Sequence, residues 1–342
     1  MQRMNAFVLA AAAVAACGEA GAPDAAAPRR YLGTQSPGDV WTWSIGATTF
    51  EATNLTTGYR YSGGKSDLPS GFLRLLITAS TDPAATLPSV AYALEYPNTV
   101  LLVKLAEAGE GLVAAVGLGS CPATAQDYDW VTVPSNTWHV DVNDAYGTAR
   151  LTPSGGTYTI TGVAYRLDGT APAPGFSETA TCAGGELRFA GGATGAVTPS
   201  RALMVDNGPG TGGGIGLVAP PAPVDLGAVA AREYRGVLLK RRGGVDETEP
   251  IGAEPAGGGN LRGFCFTNVE TGERCVSTED ATIALASAAQ PTPGIVRLRV
   301  TDDGGPHDFV FALSQLGGRY MLFGISTNAA PTEPYNVMLI ER

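Results

Sequence analysis

The chain has 342 residues, room for two or three domains of ordinary size. Apolar residues make up 44%, so cores can be buried, while 46 glycines and 24 prolines demand many turns and few long helices. A formal charge of −10 argues against nucleic acid, whose phosphates require a basic face, and against electrostatic binding to anionic lipid.

Residues 1–16 read as a signal peptide. Arg3 supplies a short positive start, and 6–16 is an apolar run too short to span a bilayer. The run closes on Val14-Ala15-Ala16-Cys17: an aliphatic residue, two small residues, then cysteine. This resembles the lipobox of bacterial lipoproteins. The resemblance implies cleavage before Cys17 and acylation of its thiol, with two or three chains making a stable membrane anchor. Gly18 stands where the inner-membrane retention signal of such lipoproteins has Asp, so the resemblance implies an exported protein anchored in the outer membrane. Residues 17–30 are rich in Ala, Gly and Pro without an apolar period and read as a flexible tether.

Beyond the tether the chain repeats itself. Thr53-Asn54-Leu55-Thr56-Thr57-Gly58-Tyr59-Arg60 returns 214 positions later as Thr267-Asn268-Val269-Glu270-Thr271-Gly272-Glu273-Arg274. Asn and Gly at these places suit a β-hairpin corner. Tyr165-Arg166 reads as a weaker copy of Tyr59-Arg60. Three further landmarks recur in the same order at steps of roughly 100–115 residues, the length of one small domain. The first is Gly71-Phe72-Leu73-Arg74 with Gly185-Glu186-Leu187-Arg188 and Gly294-Ile295-Val296-Arg297. The second is Ala93-Leu94, Ala202-Leu203 and Ala312-Leu313. The third is Tyr128, Tyr234 and Tyr335, each opening an apolar strand.

Within a module the apolar residues alternate. Leu73, Leu75 and Ile77 share one face, as do Val296, Leu298 and Val300, and the intervening arginines face outward as solvated strand residues. In the first module further strands are expected at 40–45, 48–53, 59–62, 90–96, 100–104, 113–118 and 129–133. The fold class is all-β: three tandem antiparallel meander modules of about 100 residues, at 31–135, 136–240 and 241–342. Each has about seven or eight strands. They close either as a propeller-like ring of paired blades or as three small up-and-down barrels. The lack of a long Pro/Ser-rich linker between modules points slightly to the ring; the strand count fits both. Module 1 reads as having one more hairpin than module 3, and module 3 as having a long Gly/Glu-rich entry at 242–260.

Four cysteines remain after Cys17, an even number in a chain that reads as exported, which suggests disulfides. If Asn268 to Gly272 turn a hairpin, Thr267 faces Glu273, Phe266 faces Arg274, and Cys265 faces Cys275. Opposed antiparallel residues lie within disulfide range. The competing pairing joins Cys121 to one of these two. Cys121–Cys182 follows by elimination and would staple module 1 to module 2.

Compact catalytic motifs are missing from the sequence. Gly208 to Gly213 matches a dinucleotide fingerprint, but Pro220-Pro221 follows a short apolar run and no helix can start there. His139 and His307 fall in no metal-binding pair, and no cofactor or metal is expected. Asp141, Asn143 and Asp144, and Asp302, Asp303 and Asp308, read as polar turn residues rather than Ca²⁺ ligands. Trp41 and Trp43 share a strand face, and Trp130 and Trp138 lie near a module boundary; all four read as packing residues, with a stacking platform as the functional alternative. The sequence thus reads as a non-enzymatic cell-envelope lipoprotein, a β-repeat scaffold for a protein, glycan or small ligand. The alternative is an envelope hydrolase or lyase using scattered carboxylates.

Overall fold

Alternation at period two becomes curvature once every strand has a neighbour on both sides. The computed structural model of the chain describes residues 27–35, 38–105, 111–133, 145–166, 175–208, 213–242, 245–276, 280–302, 304–327 and 335–342. They form three closed eight-stranded antiparallel barrels. The expected signal peptide, Cys17 and most of the expected tether lie outside the described residues.

The first barrel comprises β1 (Arg29–Gln35), β2 (Val40–Ile45), β3 (Thr49–Asn54), β4 (Arg60–Asp67), β5 (Leu73–Ser80), β6 (Ser89–Tyr96), β7 (Val100–Lys104) and β8 (Leu112–Gly117). The second comprises β9 (Gln126–Val133), β10 (Tyr146–Ser154), β11 (Thr157–Tyr165), β12 (Phe176–Ala183), β13 (Glu186–Phe189), β14 (Thr194–Thr198), β15 (Ala202–Asp206) and β16 (Gly213–Val218). A short helix, α1 (Leu226–Ala230), capped by the Asp225 side chain, leads into the third barrel. Its wall is β17 (Tyr234–Arg242), β18 (Val245–Gly257), β19 (Asn260–Asn268), β21 (Ala281–Ile283), β23 (Ile295–Asp302), β24 (Gly305–Leu316), β25 (Arg319–Ser326) and β26 (Tyr335–Glu341). Two short strands, β20 (Glu273–Arg274) and β22 (Ala289–Thr292), pair alongside β19 and β23. In each barrel the first strand pairs with the last, so no wall strand is left as an open edge.

Barrels, not paired propeller blades, are therefore the form taken. The missing linker has a different cause from the one the sequence suggested. Outward faces of all three barrels meet in a common apolar core that includes Leu102 and Val116, Met204 and Ile215, and Phe323 and Ile340. Docked barrels need no spacer. This shared core is why β7, β8, β25 and β26 are buried on both faces instead of alternating. Polar ties run between every pair of barrels. Thr198 Oγ1 donates to the Gly117 carbonyl (2.6 Å), Asn336 Nδ2 to the Thr132 carbonyl (2.9 Å), and Arg235 Nε to the Ser70 carbonyl (2.8 Å).

The repeat is real, with one displaced boundary. The strands after Gly71, Gly185 and Gly294 are β5, β13 and β23, the fifth wall strand of each barrel. Asn54 and Asn268 both end a third strand. Each side-chain oxygen accepts two backbone N–H groups, from Thr56 and Thr57 and from Glu270 and Thr271, and Gly58 and Gly272 follow at φ +79° and +77°. Strand 129–133, expected to close module 1, is instead part of β9, which opens barrel 2; likewise β17 opens barrel 3. The breaks thus fall near 118–125 and 219–233, not at 135 and 240, and Arg29 and Arg30 belong to β1 rather than the tether. This one-strand offset accounts for the extra hairpin assigned to module 1. It also corrects the third landmark. Tyr128 and Tyr234 sit on first strands and match Tyr31, each buried inside its own barrel, whereas Tyr335 starts a last strand. Ala202-Leu203 lies on a seventh strand while its counterparts lie on sixth strands, and Tyr165 ends β11 rather than starting a fourth strand. The Gly/Glu-rich entry to module 3 is mostly strand β18.

Two of the three landmark arginines also reach a neighbouring barrel, Arg74 partly buried and Arg297 still exposed. Arg74 forms an ion pair with Glu270 of barrel 3 (2.8 Å), and Arg297 donates to Tyr146 OH of barrel 2 (2.7 Å). Arg188 remains exposed beside Glu186.

Candidate functional site: the half-hollow second barrel

An eight-stranded barrel is just wide enough for side chains to fill it. Barrel 1 is filled by Tyr31, Phe50, Leu75 and the stacked pair Trp41 and Trp43, whose ring centroids are 5.7 Å apart. Barrel 3 is filled by Tyr234, Phe309, Phe311 and Leu322, with α1 packed into one end. Barrel 2 is filled only at the end where β9 begins, by Tyr128, Leu151, Leu187, Val197 and Leu203.

Toward the other end its inward positions turn small. Gly147 and Ala149 on β10, Gly162 and Ala164 on β11, and Gly214 and Gly216 on β16 leave a cavity of about 370 Å³. Three aromatic side chains share this region without filling it, because each lies against a glycine of the neighbouring strand. A Cβ at Gly147 would meet the Trp130 indole, one at Gly162 the Phe176 ring, and one at Gly195 the Phe189 ring. Glycine is required here by close approach, and it lets each ring lie along the wall. Ile160, Leu203 and Val205 complete the apolar lining; Thr132, Asn207 and Glu178 supply polar groups. The connections at this end, 134–144, 167–174 and 209–212, lie outside the described residues.

Among the described residues, Glu178 is the one charged side chain lining the cavity. Along β12, Phe176, Glu178 and Ala180 face inward and alternate with Ser177, Thr179 and Thr181. A single carboxylate does not make a general acid–base pair. A second depression, between the outer wall of barrel 2 and the turn at Pro293-Gly294, holds Asp127 and Asp129, both from β9. Carboxylates from several barrels do not converge in either place among the described residues. Asp129 is 3% exposed, its Oδ2 has no hydrogen-bond partner among the described residues, and burial together with the nearby charge of Asp127 pushes its pKa up to about 7.

The residues singled out from sequence are dispersed. Cys265 and Cys275 are joined, with Cα atoms 5.4 Å apart, and Phe266 faces Arg274. A bulge at Thr267 places Asn268, not Thr267, opposite Glu273. Cys121 and Cys182 are joined, Cα atoms 6.0 Å apart, tying the segment before β9 to β12 at the filled end of barrel 2. That bond spans a connector and barrel 2 rather than two modules. Gly208 and Gly213 flank a connection between antiparallel strands β15 and β16. His307 is 3.3 Å from Asp302, and Asp308 pairs with Arg299 (2.8 Å). Trp138, His139, Asp141, Asn143, Asp144 and Asp303 lie outside the described residues. No group of three potential metal ligands occurs among the described residues. Trp41 and Trp43 are barrel core, whereas Trp130 lines the cavity. Sequence reading missed the cavity; the available signal was the run of small residues at every second position of β10, β11 and β16.

Compared with known protein families and with curated proteins, the chain matches none. Among solved structures it is similar to a double mutant of the vaccine antigen transferrin binding protein B from Haemophilus parasuis Hp5, at 9% identity and a TM-score of 0.25. The likeness covers 89% of this chain, which spans 65% of the length of that one. A putative DNA polymerase III β subunit from Eubacterium rectale follows, at 4% identity, TM-score 0.13, and 91% and 90% coverage. The Helicobacter pylori β clamp shows 5% identity, TM-score 0.14 and 93% coverage of both chains. Scores this low establish no common fold and carry no argument about function.

Proposed function

We propose that the chain is a non-enzymatic, exported binding protein, held at the cell envelope through Cys17, whose second barrel takes a small ligand. The observation that carries the binding role is the contrast between barrels. Two carry large aromatic and aliphatic side chains across the lumen, and the third has small residues in one half and aromatic rings laid along its wall. Two disulfides in one chain fit an oxidising compartment outside the cytoplasm. The lipobox supports anchoring, and Gly18 supports the outer membrane as its place.

Filling the cavity tests the binding role. Ala149→Leu together with Ala164→Leu, both inward-facing, should abolish binding of a neutral naphthalene alcohol measured by calorimetry while the fold is retained. Equal binding by wild type and the filled variant refutes the site. Cys17→Ser should release soluble or unprocessed protein; unchanged mass and fractionation refute the anchor.

A further inference from the structure

We infer that the cavity of barrel 2 selects an organic cation, an amine on a flat or short apolar body, with Glu178 as its counter-ion. The inference rests on the binding role just proposed and adds the chemical class of the ligand.

Glu95 and Glu341, which point inward in the other two barrels, are satisfied within the protein. In barrel 1, Glu95 receives Arg29 at 2.6 Å and the Tyr31 hydroxyl. In barrel 3, Glu341 accepts the Tyr320 backbone N–H at 2.7 Å and lies 3.5 Å from Arg232. In barrel 2, Glu178 faces a lumen with no Lys or Arg in its lining, and no cation stands within ion-pair range of it among the described residues. Glu178 is exposed at this open end of the barrel and gives the cavity a negative pole next to its apolar and aromatic wall. A bound ammonium would pair with it.

The rest of the wall suits the same ligand. Trp130, Phe176 and Phe189 line the lumen, and a cation over an aromatic face is attracted by its quadrupole. Apolar residues between them accept a hydrocarbon body. The formal charge of −10 raises the local concentration of cations and opposes anions.

Three naphthalene probes of one size separate the terms: naphthylmethylammonium, naphthylmethanol and naphthylacetate, each titrated calorimetrically into the exported protein, Glu178→Gln, and the Ala149→Leu/Ala164→Leu variant. The wild type should bind the ammonium at least ~10-fold more tightly than the alcohol, the scale of one charge-assisted contact, and the acetate most weakly. Glu178→Gln should erase the preference for the ammonium and leave the alcohol unchanged. The filled variant should bind none. Equal affinity of wild type for ammonium and alcohol, or a preference that survives Glu178→Gln, overturns the cation inference while leaving the binding role intact. Failure of all three probes to bind wild type overturns both.

Discussion

Replacing Asp129 by Asn should change how stability depends on pH, because this carboxyl is held at the seam between barrels 2 and 3. It lies on the outward face of β9, packed against Gly294, where an added Cβ would collide with it. Its pKa is raised from an ordinary value near ~4 to about 7, first by burial and then by the charge of Asp127. The folded protein therefore holds a proton that the unfolded chain releases. Below ~pH 4 both states are protonated and the site costs nothing. Between ~pH 4 and pH 7 the unfolded state ionises first, so stability falls as pH rises. Above pH 7 the loss is complete and constant. A shift of about three units at ~1.4 kcal/mol each corresponds to about 4 kcal/mol. Asn keeps the shape and does not titrate. Urea unfolding in steps from pH 4 to pH 8 should show the two proteins equal at the acid end and the variant more stable by up to about 4 kcal/mol at the alkaline end. Profiles that run parallel across the whole range refute the reasoning.

The two disulfides should contribute unequally. Cys121–Cys182 spans 61 residues and Cys265–Cys275 spans 10, so chain entropy assigns about 4 and at most about 3 kcal/mol to them. Unfolding of Cys182→Ser and Cys275→Ser variants checks the ranking, and non-reducing peptide mapping checks the pairing. Asn54→Ala and Asn268→Ala each remove two side-chain acceptor contacts at a turn and should each cost about 1–2 kcal/mol. The loss should be greater at Asn54, which is buried and also donates to Asp39 (2.9 Å). Trp43→Ala should cost about 3–5 kcal/mol by opening a void in a filled barrel. Trp130→Ala enlarges an existing cavity, so thermal unfolding should show a smaller loss there.

Local features of the chain are legible wherever one residue's neighbours settle its state. Alternation of Leu73, Leu75 and Ile77 gives both the strand and its inward face. The Asn268–Gly272 turn brings Cys265 to Cys275 because a hairpin fixes which residues oppose each other. The landmark glycines mark the fifth strand in all three units, since the same turn into the same strand needs the same backbone freedom. Alternation places the landmark arginines on the outward face but does not show that Arg74 and Arg297 reach a neighbouring barrel. Whether Arg74 or Arg297 meets solvent or another barrel depends on what packs outside the strand, and alternation carries no information about that.

Tertiary structure alone decides closure, boundaries and the cavity. An eight-stranded meander can curl on itself or split into blades with the same pattern of inward residues; the choice rests on pairing β1 with β8, partners about 80 residues apart along the chain. The boundary slipped by one strand because β9 and β17 look like last strands until their partners are known. The hollow half of barrel 2 depends on eight strands at once. Gly147, Gly162, Gly195 and Gly216 each look like an ordinary strand glycine, and only closure sets them around one lumen with Trp130, Phe176 and Phe189 against them. Sequence determines which way a side chain points along its own strand. What it points at is fixed by contacts between distant parts of the chain, and those exist only in the folded protein.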